Sequence, residues 1–114
     1  MALTTELQKL EDHKVKILLT GRLNAVSVGE LKEDIRTCIE EGNNNIIVDL
    51  HALDFLDSSG LAALVSGLKL SKGSGGYFRL FSPTEQVSSV FKLTRLNTVF
   101  EIYDDEASAW EGKK

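Results

Sequence analysis

Apolar residues along this chain fall into two different periods that meet at one point. Ile46-Ile47-Val48-Asp49-Leu50 is a nearly unbroken apolar run of the kind that a buried strand carries. A little further on, Leu61, Leu64, Val65 and Leu68 stand at i, i+3, i+4 and i+7, which is one face of a helix. Between the two lies Leu53-Asp54-Phe55-Leu56-Asp57-Ser58-Ser59-Gly60-Leu61, which places two hydroxyls and an acid where the helix starts. The first N–H groups of a helix lack intrahelical partners, and its dipole is positive at that end. A serine there can cap the helix, and an added phosphate would meet ready donors. Ser58 is therefore predicted to be presented to solvent.

The same reading assigns the other elements. Thr4 to Leu10 and Val15 to Thr20 bracket the polar Glu11-Asp12-His13-Lys14 and predict an antiparallel hairpin. After Gly21, Ser27-Val28-Gly29-Glu30 has the form of a capping box, and Val28, Leu31, Ile35, Cys38 and Ile39 recur on one helical face. That helix is predicted from Val28 to Glu41, stopped by Gly42 and the Asn43-Asn44-Asn45 run. A strand at Asn45 to Leu50 follows, and then the Ser58 helix, which ends in Lys72-Gly73-Ser74-Gly75-Gly76. A strand at Tyr77 to Phe81 precedes Ser82-Pro83-Thr84-Glu85, read as a serine cap, a proline at the first helical position and a glutamate three residues on. The helix after it turns Val87, Val90 and Phe91 inward. A last strand near Val99 to Tyr103 leads to a short helix that begins with Asp104, Asp105 and Glu106 at its positive end and packs through Trp110. The order β-β-α-β-α-β-α-β-α predicts an α/β fold: a mixed, mostly parallel sheet with an N-terminal hairpin and about four helices packed against it.

Composition narrows the function classes. The chain has 114 residues and is 42% hydrophobic, enough for one domain with a true core, here residues 1–114 with the core over about 3–110. A net charge of −4 and a pI near 5.1, with the basic residues dispersed among more numerous acids, argue against non-specific binding of nucleic acid. The one cysteine, Cys38, has no internal disulfide partner, and no stretch has the form of a signal peptide. No apolar run approaches the roughly 18 residues of a membrane span. A soluble cytoplasmic protein without membrane insertion is expected.

Catalysis finds little support. A nucleophilic serine needs a base oriented by a third group, and His13 and His51 are the only histidines, neither placed beside Ser58 by the predicted elements. The residues before Ser58 also lack the glycine with which a nucleophile elbow makes its turn. The only glycine cluster, Lys72 to Gly76, follows a helix and precedes a strand, the reverse of a phosphate-binding loop. Two separated histidines, one cysteine, and Asp54 with Asp57 define no metal site. Cys38 falls on the apolar face of its helix and reads as a packing residue. The chain is expected not to be an enzyme and to carry no cofactor. By composition alone, Asp57 or Ser58 could equally be a plain helix cap.

Phe55-Leu56-Asp57-Ser58-Ser59-Gly60-Leu61, preceded by the Ile46 to Leu50 strand and followed by an apolar helix, resembles the signature of STAS domains, specifically the bacterial anti-sigma-factor antagonists. The order of elements is similar to that family from about Leu3 to Trp110, and Gly21-Arg22-Leu23-Asn24 falls where the family carries glycine-x-leucine-aspartate. The resemblance implies a partner switch. The unphosphorylated protein would bind an anti-sigma factor that is also a serine kinase, freeing the sigma factor. Phosphorylation of the serine that follows the aspartate, here Ser58, would reverse this, and a PP2C-type phosphatase would reset it. ATP and Mg²⁺ would then belong to the kinase. Asn24, Asp57, Ser58, Ser59, Gly60 and Leu61 are the implied partner-binding residues, in a monomer or weak dimer. Asn24 departs from the family's acid, keeping hydrogen bonding and losing a negative charge. A constitutive binding module, in a stressosome or with a membrane transporter, is the alternative within the same resemblance.

Overall fold

Strict alternation along the second strand sorts the whole sheet into two faces. In β2 (Lys14–Leu23), Val15, Ile17 and Leu19 are buried, while Lys14, Lys16 and Leu18 between them are only half-buried on the other side. A computed structural model describes residues 3–112 of the chain. In it β1 (Thr4–Lys9) pairs antiparallel with β2; β3 (Asn45–Leu56), β4 (Tyr77–Phe81) and β5 (Glu101–Tyr103) then add in parallel, in the order β1-β2-β3-β4-β5. The crossovers are α1 (Val28–Glu40), α2 (Ser58–Gly73) and α3 (Glu85–Leu93). All three step the same way across the sheet, so right-handed connections put them on one face. Leu31, Ile35 and Cys38 of α1, Leu64 and Leu68 of α2, and Val87 and Phe91 of α3 fill one core with Ile17, Val48, Leu50, Phe78 and Leu80 of the sheet. Among the described residues the opposite face carries one element, α4 (Glu106–Glu111), over a separate small cluster of Ile47, Phe81, Tyr103 and Ala109.

The single mixed domain and the predicted element order are as the sequence indicates, with local differences that have physical causes. Both central strands run further than predicted: β2 continues through Gly21 to Leu23, and β3 through the polar segment to Leu56. Between Leu18 and Thr20 β2 advances two residues while β3 goes from Asp49 to Ala52, and between Gly21 and Arg22 β3 again gains one residue, from Leu53 to Phe55. Both extra residues lie on β3 and break its alternation, on which strand reading depends, while β2 keeps its alternation through Leu23. The Gly21-Arg22-Leu23-Asn24 segment is thus strand up to Leu23, and the turn begins at Asn24.

Two predicted caps are corrected. Ser27 makes no side-chain cap; its backbone is already helical (φ −100, ψ −11), and its Oγ donates to the Arg22 carbonyl at 2.7 Å and accepts from the Asn24 N–H at 3.0 Å. Asn24 competes successfully for it by forming the preceding turn. At the other site the cap is Thr84, whose Oγ1 accepts from the Val87 N–H at 3.2 Å, and the helix starts at Glu85. Ser82 instead takes φ +55 and donates from Oγ to the Asp104 carbonyl at 2.9 Å, which ties the end of β4 to the end of β5. Leu96–Thr98 form a 3-10 turn, so the last strand begins at Glu101 rather than near Val99.

Candidate functional site

The site lies at the carboxyl edge of the parallel strands, where β2 and β3 end as register partners at Leu23 and Leu56. Asp57 leaves the sheet in an extended conformation (φ −111, ψ −172), its N–H donating to the Leu23 carbonyl at 3.3 Å. Its side chain then caps α2: Oδ1 accepts from the Gly60 N–H at 3.0 Å, and its carbonyl accepts from the Leu61 N–H at 2.9 Å. Asp57 is therefore the cap, and Ser58 and Ser59 occupy the first turn. Their own N–H groups stand in the part of a helix that has no intrahelical acceptor. Ser58 is exposed, Ser59 half-buried, and no acidic residue shares the first turn of α2.

Gly60 explains why the helix can start so close to the sheet. A Cβ there would lie 2.6 Å from Leu56 Cδ1, 2.8 Å from the Leu23 carbonyl oxygen and 2.9 Å from Leu23 Cγ. Only a residue without a side chain lets the first turn sit against the ends of both strands. Ser58 is thereby held on a fixed support.

Of the residues predicted for partner binding, Asp57, Ser58 and Ser59 reach the surface; Gly60 and Leu61 are buried and act beneath it. Asn24 follows directly on Leu23 and so sits at the same edge, one residue from the strand end that Asp57 contacts. Its Oδ1 accepts from the N–H groups of Val26 and Ser27 at 3.0 and 3.1 Å. A carboxylate oxygen could make both bonds, so an aspartate at this position would preserve the turn and change only its charge. The turn presents Val26, 95% exposed, and Arg22 lies beside it with its guanidinium 4.1 Å from the centre of the Phe55 ring. An open, largely apolar groove of about 470 Å³ follows α2 away from Ser58, lined by Leu61, Ala62, Val65, Ser66, Lys69 and Leu96. Sequence reading missed Val26 and this groove. Val26 was visible as an apolar residue in a polar turn; Leu96 joins α2 only through the tertiary fold.

The other predicted chemistry falls elsewhere. His13 is in the β1–β2 turn with φ +61, and its carbonyl accepts from Asn45, at the end of the sheet opposite Ser58. His51 Nδ1 lies 2.8 Å from Asp49 Oδ1, but seven strand-like residues upstream of Ser58 span roughly 20 Å at the rise of an extended chain. Neither can serve as its base. Cys38 is fully buried, and burial pushes its thiol above the usual value, which fits packing and not reactivity. Among the described residues no cluster of metal-ligating side chains occurs, and no helix is long and apolar enough to cross a membrane.

With this geometry in place, comparison with known proteins is informative. The chain is 38% identical to a Thermotoga maritima protein assigned as an anti-sigma factor antagonist, over 64% of this chain and 65% of that relative's length. A crystal structure from the same organism, carrying the same assignment, superposes with a TM-score of 0.86 at 31% identity and covers 95% of this chain and 92% of that one. The antagonist SpoIIAA in its unphosphorylated form gives a TM-score of 0.82 at 26% identity over 95% and 94% of the two chains. The Bacillus SpoIIAA in its phosphorylated form gives 0.74 at 25% identity over 95% and 97%. The STAS-domain family model matches residues 4–109, which takes in every strand, α1 to α3 and most of α4, and the chain belongs to the STAS domain family, among the anti-sigma factor antagonists.

Proposed function

We propose that this protein is a phosphorylation-controlled anti-sigma-factor antagonist. Unmodified, it binds an anti-sigma factor that has serine kinase activity and so releases the sigma factor; phosphorylated on Ser58, it lets go. A PP2C-type phosphatase returns it to the binding form. In this reading the protein is a substrate and a binding module rather than an enzyme, and transcription is the process it regulates.

The observation that carries the proposal is the presentation of Ser58: exposed, on the first turn of α2, with Asp57 satisfying the cap and thus leaving the serine hydroxyl without a capping duty. A serine needed as the cap would have its oxygen engaged with the helix backbone. This one is free of that constraint, so a kinase can reach it without unravelling the helix. The existence of SpoIIAA in both unphosphorylated and phosphorylated forms on the same fold adds support.

The test is phosphorylation by candidate anti-sigma kinases, with the modified residue located by mass spectrometry. Incorporation is expected in the wild type and in Ser59→Ala and should vanish in Ser58→Ala. Full incorporation in Ser58→Ala, lost in Ser59→Ala, would overturn the assignment.

A further inference from the structure

Among the described residues, the face of the sheet opposite α1, α2 and α3 is covered by α4 alone, and the two coverings differ in how much they bury. Helix α2 buries seven residues and puts Leu61, Ala63, Leu64 and Leu68 into the main core; α4 buries one, Ala109. Ala109 and half-buried Trp110 pack on the small second cluster, and charge and hydrogen bonding fasten α4 at both ends. Lys16 Nζ lies 3.0 Å from Glu106 Oε1, whose second oxygen accepts from Trp110 Nε1 at 3.2 Å. Lys14 Nζ stands 5.4 Å from the centre of the Trp110 ring. At the other end, Arg79 donates from one guanidinium nitrogen to the carbonyls of Ala109 and Trp110 at 3.0 and 3.2 Å, neutralising the negative end of the helix. Arg79 is itself braced, stacked 3.6 Å from the centre of the Tyr77 ring and with Nε 3.3 Å from Glu101 Oε1. Gly112 (φ +72) closes over it, and a Cβ at Gly112 would meet the guanidinium at 2.6 Å.

Such contacts are weak individually and screened by salt. Solvent also enters at both ends of the helix: a cleft of about 470 Å³ lies between Trp110 and the Leu10 to Lys14 turn, and one of about 230 Å³ lies between Ser108 and the Ile102 to Asp105 segment. A helix this short does not persist in water once its packing is lost. Beneath it Ile47, Phe81 and Tyr103, with Tyr77 at the margin, form a cluster distinct from the main core.

We propose that α4 is an ion-latched strap: it lifts from the sheet and unfolds as a unit while the rest of the domain stays folded, uncovering Ile47, Tyr77, Phe81 and Tyr103 on the face opposite α2. The latch residues Lys14, Lys16, Arg79 and Glu106 contribute nothing to the main core, so opening leaves the Ser58 site intact.

Trp110 is the only tryptophan and reports the strap directly. Its emission and its quenching by acrylamide can be followed beside far-ultraviolet circular dichroism, in low salt and near 1 M salt, where the screening length falls to about 3 Å. Glu106→Gln, at a half-exposed position, weakens the anchors to Lys16 and Trp110 without touching the sheet; Arg79→Gln removes the carboxyl-end clamp. Quenching should rise at least twofold in high salt and in Glu106→Gln, while circular dichroism loses no more than the small share of one six-residue helix. Backbone amides of α4 should exchange at least tenfold faster than those of α2 and β3 under native conditions. Trp110 that stays protected until the dichroism signal is lost, in wild type and Glu106→Gln alike, with α4 amides exchanging together with α2, would overturn the strap.

Discussion

At the scale of single residues, Gly60 is the position on which the site turns. Alanine in place of glycine inside a helix is ordinarily stabilising, by about 1 kcal/mol. Here the added methyl would meet a backbone carbonyl and two leucine side chains at under 3 Å, and the carbonyl belongs to the end of β2. The sign should therefore invert. Gly60→Ala is expected to lower stability by about 1–3 kcal/mol, read as a reduced urea midpoint at constant slope, and to slow phosphorylation of Ser58 by displacing the first turn. A stabilised protein would show that the turn does not press on the strand ends. Residue chemistry of this kind was partly legible. A cap and a presented Ser58 hydroxyl follow from composition at a strand-to-helix junction because both effects are local, but composition left the cap open between Asp57 and Ser58, and the structure gives it to Asp57. Ser27 and Ser82 were misread for the complementary reason: each has the spacing of a cap, but a nearby carbonyl, that of Arg22 or of Asp104, offers the hydroxyl a partner across a turn or between strands.

At the scale of elements, α4 shows how a cap couples to solution conditions. Asp105 Oδ1 accepts from the Ser108 N–H at 2.8 Å, and this backbone hydrogen bond, first among the causes, holds its carboxyl below the ordinary 3.8. A carboxyl depressed in the folded state stabilises it fully above its unfolded value and loses that contribution as pH falls through the depressed one. Carbon-detected NMR should thus find Asp105 titrating below an ordinary aspartate, with the Ser108 amide shifting over the same range; an unshifted titration would mean that the cap is not formed in solution. Element type was legible throughout, since a 3.6-residue period and a buried apolar run are long signals. Element ends were not. β3 was cut at Leu50 because the two bulges opposite β2 put Asp54 and Phe55 out of step with strict alternation, and a bulge is a property of two strands rather than of one. The 3-10 turn at Leu96 likewise depends on how α3 and β5 meet.

At the scale of the whole molecule, the layout separates the place where a charge is added from the core that keeps the domain folded, and this predicts how a single phosphate would act. Phosphoserine at Ser58 brings about −1.5 to −2 charges. It would stand on the first turn of α2, where the N–H groups and the helix dipole favour an anion and offset the neighbouring Asp57 carboxylate that caps the helix. The leucines beneath, Leu61, Leu64 and Leu68, are anchored on the sheet, so the domain can accept the charge with its fold unchanged. A protein partner laid across this edge would meet the same charge on a surface flanked by exposed Val26 and the apolar groove along α2. Burying it there costs desolvation, and each unit of charge facing an acid of the partner about 6 Å away adds about 3 kcal/mol at an effective dielectric near 20. Passing from almost fully bound to almost fully free takes about 5.5 kcal/mol, which the two costs together can reach. Ser58→Ala should keep the partner bound, and Ser58→Asp, with one charge and fewer oxygens, should weaken binding less than the phosphate does. Titration calorimetry against the anti-sigma factor, run beside circular dichroism, decides it. Phosphorylation should lower affinity by at least 100-fold with the folded spectrum and melting temperature retained; equal affinities would end the switch, and a lost folded spectrum would move its cause from the interface to the fold.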